Sequence, residues 1–315
     1  MQANMGMAGE FRVVVKRADG STKIDTGYQK NLILNQGLDF FGGNNGSDMM
    51  RYCVIGSGNS RPSYTQTKLD TSITGVSGTT YSTKYDYNAE TDGNLYKTNR
   101  VCKYSFSGLN NVNVSEVGLA STYGNATTYF LCTRALIKDS QGNPTTITVL
   151  SGDILEIYYK LWAVYDTTDK TGKINLLDGV GGSVAYNWKL RLAYVTDVIA
   201  YRNVGFALGQ PTGRHCTFNT GDLANITSIP PGSGSNYTLD GLASYVSGSY
   251  KRVNSQVLTT DQENKSIRTI TIATAMGVYQ IRLGAVADDS PITKSSTQTL
   301  TVPIEISWGR YEGAL

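Results

Sequence analysis

The stretch SGDILEIYYKLW (151–162) decides how the rest of the chain is read. Leu155, Ile157, Tyr159 and Leu161 fall on one side of an extended backbone, and Ile154, Glu156, Tyr158, Lys160 and Trp162 fall on the other. Successive side chains of a strand point to opposite faces, so the first set makes a core face. The second set, part aromatic and part charged, suits a surface that is half-covered or met by a partner. With Thr145–Leu150 before it, and Ser151-Gly152-Asp153 as the turn, the pattern predicts a hairpin ending at Val164.

The same grammar recurs on both sides. Phe11–Arg17 reads as a strand ended by the turn Asp19-Gly20. Further strands are expected at Tyr52–Ile55, Asn99–Phe106, Val112–Leu119, Tyr129–Ile137, Val184–Tyr194, Val204–Leu208, Ser266–Ala273, Gly277–Gly284 and Leu300–Tyr311. The one good helix signal is Asn31–Phe41, apolar at Leu34, Leu38 and Phe41 and stopped by Gly42-Gly43. Residues 57–65 and 228–238 are Gly/Ser/Pro-rich loops, and 74–99 is an exposed ribbon or long loop.

Composition agrees. Of 315 residues 40% are hydrophobic and only 17% charged, with 34 Gly and 21 Tyr. Aromatic and β-branched side chains fit a pleated surface better than a helix. The fold class expected is therefore all-β. Chains of this length usually split into two domains. The polar, Gly-rich residues 166–183 are expected to be the linker between two tandem antiparallel β-sandwiches, jelly-roll-like, over 1–165 and 184–315. Three blocks recur in the same order, which suggests an internal duplication. Residues 54–58 match 204–209, 100–106 with 112–120 match 268–273 with 277–285, and 154–162 match 302–311.

The net charge is +3 and no Lys/Arg run exceeds two residues, so no specific nucleic-acid footprint is expected. No run of about 18 apolar residues predicts a membrane span. Met1–Glu10 lacks the apolar core of a secretory signal, so synthesis in the cytosol is expected. Cys53, Cys102, Cys132 and Cys216 lie in or beside apolar stretches, as buried free thiols do. The single histidine, His215, has no sequence partners for a metal site and reads as a packed or surface residue. Asp86, Asn88, Glu90 and Asp92 alternate in the spacing of calcium ligands, but an EF-hand needs Gly and Glu where Thr91 and Lys97 stand, and a hydrated turn is the other reading. There is no G-x-S-x-G elbow, and Thr171-Gly172-Lys173-Ile174 is not a phosphate loop. The chain is expected not to be an enzyme, with no catalytic, cofactor or metal residues. Tyr81, Tyr85, Tyr87 and Tyr96, then Tyr237, Tyr245 and Tyr250, crowd the polar middle of each half. Tyrosine suits protein interfaces and sugar stacking, and it also serves as an ordinary half-exposed strand residue.

Several passages resemble virion proteins of tailed bacteriophages. KNLILNQGLDFF (30–41) followed by YCVIGSGNSRPSYTQTKLDTSI (52–73) is similar to their N-x-I-L-x-x-G-L opening and GxGxxxP…T-x-L loop. VNVSEVGLA (112–120) with RALIKDSQGNPTTITVLSGDILEIYYKL (134–161) resembles a recurrent segment of the same proteins, and SWGRY (307–311) is loosely like their ends. The resemblance implies a structural part of the virion, in the tail, collar, fibre-attachment apparatus or head surface. It implies self-association into a symmetric ring or fibre base, contact with other virion proteins, and no catalytic residues. Two other functions stay open from the sequence: a receptor- or carbohydrate-binding module contacting a host surface glycan, and a polysaccharide hydrolase using His215 or the Asp86–Asp92 carboxylates.

Overall fold

A computed structural model of the chain describes residues 1–43, 48–78, 86–178, 181–194, 215–232, 234–238, 244–274 and 277–315. In chain order the first half carries β1 (Gln2–Lys16), β2 (Thr22–Lys30), β3 (Leu32–Ile33), α1 (Asn35–Gly43), β4 (Tyr52–Gly56), β5 (Ser72–Ser77), β6 (Asp86–Asp92), β7 (Leu95–Phe106), β8 (Val112–Val114), β9 (Glu116–Tyr123), β10 (Tyr129–Leu131), β11 (Thr133–Leu136), β12 (Ile147–Val149) and β13 (Ile154–Asp166). The remainder carries β14 (Lys170–Leu177), β15 (Ser183–Tyr194), β16 (His215–Asn219), β17 (Asn236–Thr238), β18 (Lys251–Leu258), β19 (Ser266–Ile267), β20 (Thr269–Thr274), β21 (Gly277–Ala285), β22 (Ile292–Thr293) and β23 (Leu300–Arg310). The class is all-β with one short helix.

Three sheets carry the architecture. The first runs β18-β23-β1-β13-β7-β6, with β2 also on β1. The second runs β3-β11-β9-β4-β5, and the third runs β14-β15-β21-β20-β16-β17. The long strands β1 and β13 explain the plan. Ala3, Met5, Met7, Phe11, Val13 and Val15 of β1 share one parity and are all buried, as are residues 155 to 165 of the same parity in β13. One face of the first sheet is therefore core along its whole length, and the two smaller sheets share that face. Near one end Tyr159 stacks on Phe11 at 6.2 Å and its hydroxyl lies 2.6 Å from Thr133 Oγ1 of the second sheet. Near the other, Tyr279 of the third sheet donates to the Asn4 carbonyl at 3.3 Å.

One edge of β1 pairs with β13, from Gly6↔Val164 to Lys16↔Ile154. The other edge is shared. β2 pairs antiparallel with Glu10–Lys16, and β23, from the end of the chain, pairs parallel with Gln2–Met7.

This arrangement corrects the expected domain plan. Residues 166–183 are not a free linker: β13 runs to Asp166 and β14 fills 170–177. The boundary also does not divide the sheets, because β18 and β23 join β1 and β13. Nor is every pairing antiparallel, since β1 and β23 run in the same direction. The 145–164 hairpin does not form: β12 pairs with β8, and β13 pairs with β1 and β7. The repeated blocks occupy unlike places, with β7 and β9 in different sheets and β20 and β21 adjacent in one. Alternation dictates which face a strand buries but not which strand lies beside it.

The helix begins later and ends later than expected. Leu32 and Ile33 extend and pair with β11, and α1 keeps Gly42 and Gly43 inside it. Its glycines serve close packing rather than termination. A Cβ at Gly37 would stand 2.3 Å from the Cys132 carbonyl oxygen, and one at Gly42 would stand 2.3 Å from the Trp308 ring. Leu34, Leu38 and Phe41 are buried, as the spacing requires.

Candidate functional site

Three passages of the sequence converge in space. The 57–71 loop lies over the β4–β9–β11 part of the second sheet and is held from below by Glu116 and Arg134, both fully buried. Glu116 Oε1 accepts the backbone N–H of Gly58 and of Thr71, each at 2.9 Å, and Oε2 accepts that of Asp70 at 3.2 Å. Arg134 Nε donates to Glu116 Oε2 at 2.9 Å, and its Nη2 lies 2.8 Å from both the Glu116 and Asp70 carboxylates. Its Nη1 reaches Gln66 Oε1 at 2.7 Å and Ser60 Oγ at 3.3 Å. A carboxylate and a guanidinium withdrawn from water are stable only when paired. Here the loop supplies hydrogen-bond partners for the carboxylate and for Arg134 Nη1, while Nη2 is held by the two carboxylate charges without a well-aligned hydrogen bond. Burial works against the Asp70 charge, but hydrogen bonds from Ser60 and the Arg134 charge outweigh it and hold its pKa below the usual carboxylate value.

The C-terminal strand supports the same loop. Arg310 donates to the Ile33 carbonyl and to Asn35 Oδ1, both at 2.6 Å, and lies 4.0 Å from the Tyr64 ring centroid. Tyr64 donates to Glu312 at 3.0 Å. Beside this platform opens a cleft of about 520 Å³, between the loop and the Lys138–Pro144 turn.

Glu116 and Arg134 were not singled out by the sequence reading. The available signal was an acid and a base each set among strand residues of core character, Val114–Val117 and Thr133–Leu136.

The expected mixed face of β13 closes largely on itself. Arg12 and Lys103 both lie over the Tyr158 ring, and Lys160 sits 4.0 Å from the Tyr28 ring centroid. Trp162 donates to Glu10 at 2.9 Å, and Tyr311 and Leu315 pack against Ala8, Trp162 and Val164.

A different surface is bare. At the end of the β14–β15 hairpin Leu177 is 88% exposed, with Val184 and Val286 partly exposed nearby. Leu177 and Val184 border a recess of about 610 Å³ whose lining joins the apolar Tyr186, Ile292 and Leu300 to the polar Asp178, Lys294 and Gln298.

The residues considered from sequence are placed as follows. The four cysteines are free and buried, and burial pushes the thiols of Cys102 and Cys132 up to about 12. His215 begins β16, its backbone opposite Thr238, and its side chain lies outside the described residues. The Asp86–Asp92 backbone is a straight strand paired with β7, not a loop closed around an ion, and those side chains are also outside the description. Tyr81, Tyr85, the Tyr87 side chain and the strand expected at Val204–Leu208 lie outside it too. Tyr96 is core. Tyr237 meets Phe218 edge-on at 6.0 Å and donates to Glu263. Tyr245 packs on Trp308 at 5.6 Å and Tyr250 packs against the core. The described tyrosines of this group thus face their own chain. Among the described residues no group of three or more His, Cys, Asp or Glu is placed to hold a metal, and no helix is long and apolar enough to cross a membrane.

Comparison of the chain with protein-family models, curated proteins and solved structures finds no match.

Proposed function

We propose that this chain is a non-catalytic structural component of a tailed-bacteriophage virion, in the tail, collar or fibre-attachment apparatus. It is made in the host cytoplasm and works by symmetric assembly with copies of itself and with other virion proteins. The resemblance of residues 30–73 and 112–161 to such proteins supports the reading. The single observation that carries the assembly step is the bare apolar rim at Leu177, beside a recess of mixed apolar and polar lining on the same surface. A protruding leucine and a receiving hollow on one molecule suit contact between copies, because each subunit supplies both halves of the joint. One long sheet running through the chain makes the stiff unit such a joint needs.

The purified chain is expected to form a closed oligomer, measured by light scattering and mass photometry. Leu177→Asp is expected to shift it to monomer while moving the melting point little, because the side chain is almost wholly in solvent. A monomer at high concentration that also fails to bind purified virion components would overturn the proposal.

A further inference from the structure

We propose that the cleft beside Arg134 is a binding site for an acidic saccharide. The inference is independent of the assembly reading, since it concerns a different face. Lys30, Arg61, Arg134 and Lys138 all line this cleft, and among the described residues lining it there is no carboxylate. Arg134 is already neutralised by Glu116 and Asp70. The other three have no carboxylate partner among the described residues; Lys30 is held only through a 3.3 Å hydrogen bond to the Gly313 carbonyl. The nearest acid in sequence, Asp139, stays charged but does not line the cleft; its Oδ1 accepts the backbone N–H groups of Gln141 and Asn143, each at 2.9 Å. In the neighbouring smaller cleft Glu312 is engaged by Tyr64. Three cations lining one cleft with no acid in the lining, in a chain of net charge +3, leave a local positive field that an anion would satisfy.

The remaining lining selects the class of anion. Pro62 and Pro144 give rigid apolar walls of the kind that sugar rings lie against, and the Asn59 amide offers a donor and an acceptor for hydroxyls. A peptide taken up as an added strand needs a free backbone edge, which these walls do not provide. Lys138 has both its N–H and its carbonyl bonded to the Gln29 amide, at 3.0 and 2.7 Å, and β3 is paired with β11. The site is also pre-formed. The Glu116–Arg134 pair fixes the loop that carries Arg61, so little ordering is required on binding.

The test is titration calorimetry of the full chain with four probes: tetragalacturonate, a phosphorylated mannotetraose, neutral maltotetraose and tetraglutamate. At least one acidic sugar is expected to bind about tenfold or more tighter than maltotetraose, with affinity falling as salt rises. Which of the two binds tells a carboxylate acid from a phosphate. R61Q and K138Q are each expected to weaken binding about fivefold, as loss of one charge-assisted contact does, with an unchanged melting temperature because both side chains are exposed. No preference for either acidic sugar over the neutral one would overturn the proposal. So would binding that ignores both substitutions, or tetraglutamate binding as tightly as the sugars.

Discussion

Glu116 shows most plainly what a buried charge does in this protein. It sits in a β-strand, fully buried, and holds three backbone N–H groups of one loop together with the guanidinium of Arg134. Removing it would strand the arginine in the interior and free the loop's amides. Glu116→Ala is expected to lower the unfolding free energy by about 3–5 kcal/mol and to open residues 57–71 to proteolysis. Replacing both partners at once with apolar residues should cost less than the sum of the two single changes, because neither buried charge is left facing an empty place, although Asp70 loses its arginine and the loop amides lose their acceptor. Urea unfolding of the two single variants and the double variant measures this. A single-variant loss under about 1 kcal/mol would mean the pair is not what holds the loop. The pair was legible only as an oddity, a charge where alternation predicts an apolar residue. That each charge answers the other, 18 positions away, is a fact of strand neighbours and not of sequence spacing.

At the scale of elements, α1 and β23 are joined through Trp308. Its ring meets Phe41 edge-on at 5.4 Å, and its Nε1–H donates to the Leu38 carbonyl at 2.9 Å. The contact is tight enough that Gly42 has no room for a side chain. From the other side Asp39 accepts hydrogen bonds from Tyr245, Ser247 and the Gly248 N–H, at 2.6 to 2.9 Å. Trp308→Ala would open a cavity between the helix and the last strand and remove the second donor to the Leu38 carbonyl. The expected loss is about 3–5 kcal/mol in chemical denaturation, with faster hydrogen exchange in α1 and in β23 together. Exchange rising in β23 alone would show that the two elements are not coupled. The helix was visible in the sequence from Leu34, Leu38 and Phe41. Its glycines predict a stop from sequence alone, because glycine at a helix end and glycine under a tryptophan are the same letter.

Over the whole molecule, the two ends of the chain meet on β1. Residues 1–165 without the rest would lose the parallel partner β23 and expose Ala3, Met5, Met7, Ala163 and Tyr165, all buried in the intact chain. That fragment is expected to aggregate or bind a hydrophobic dye, while the full chain unfolds in one cooperative step; a fragment that is monomeric and melts sharply would restore the view of two tandem units. By itself the sequence determined the all-β class, the positions of most strands, the core face of β13 and the buried state of the thiols, because these follow from local alternation and from side-chain chemistry. Only the tertiary structure decided that β14 occupies the expected linker, that β23 crosses back to lie parallel to β1, and that Glu116 and Arg134 meet beneath the loop. Strand partnership is settled by contacts between residues far apart in the chain, and a period of two residues says which way a side chain points without saying what stands opposite it.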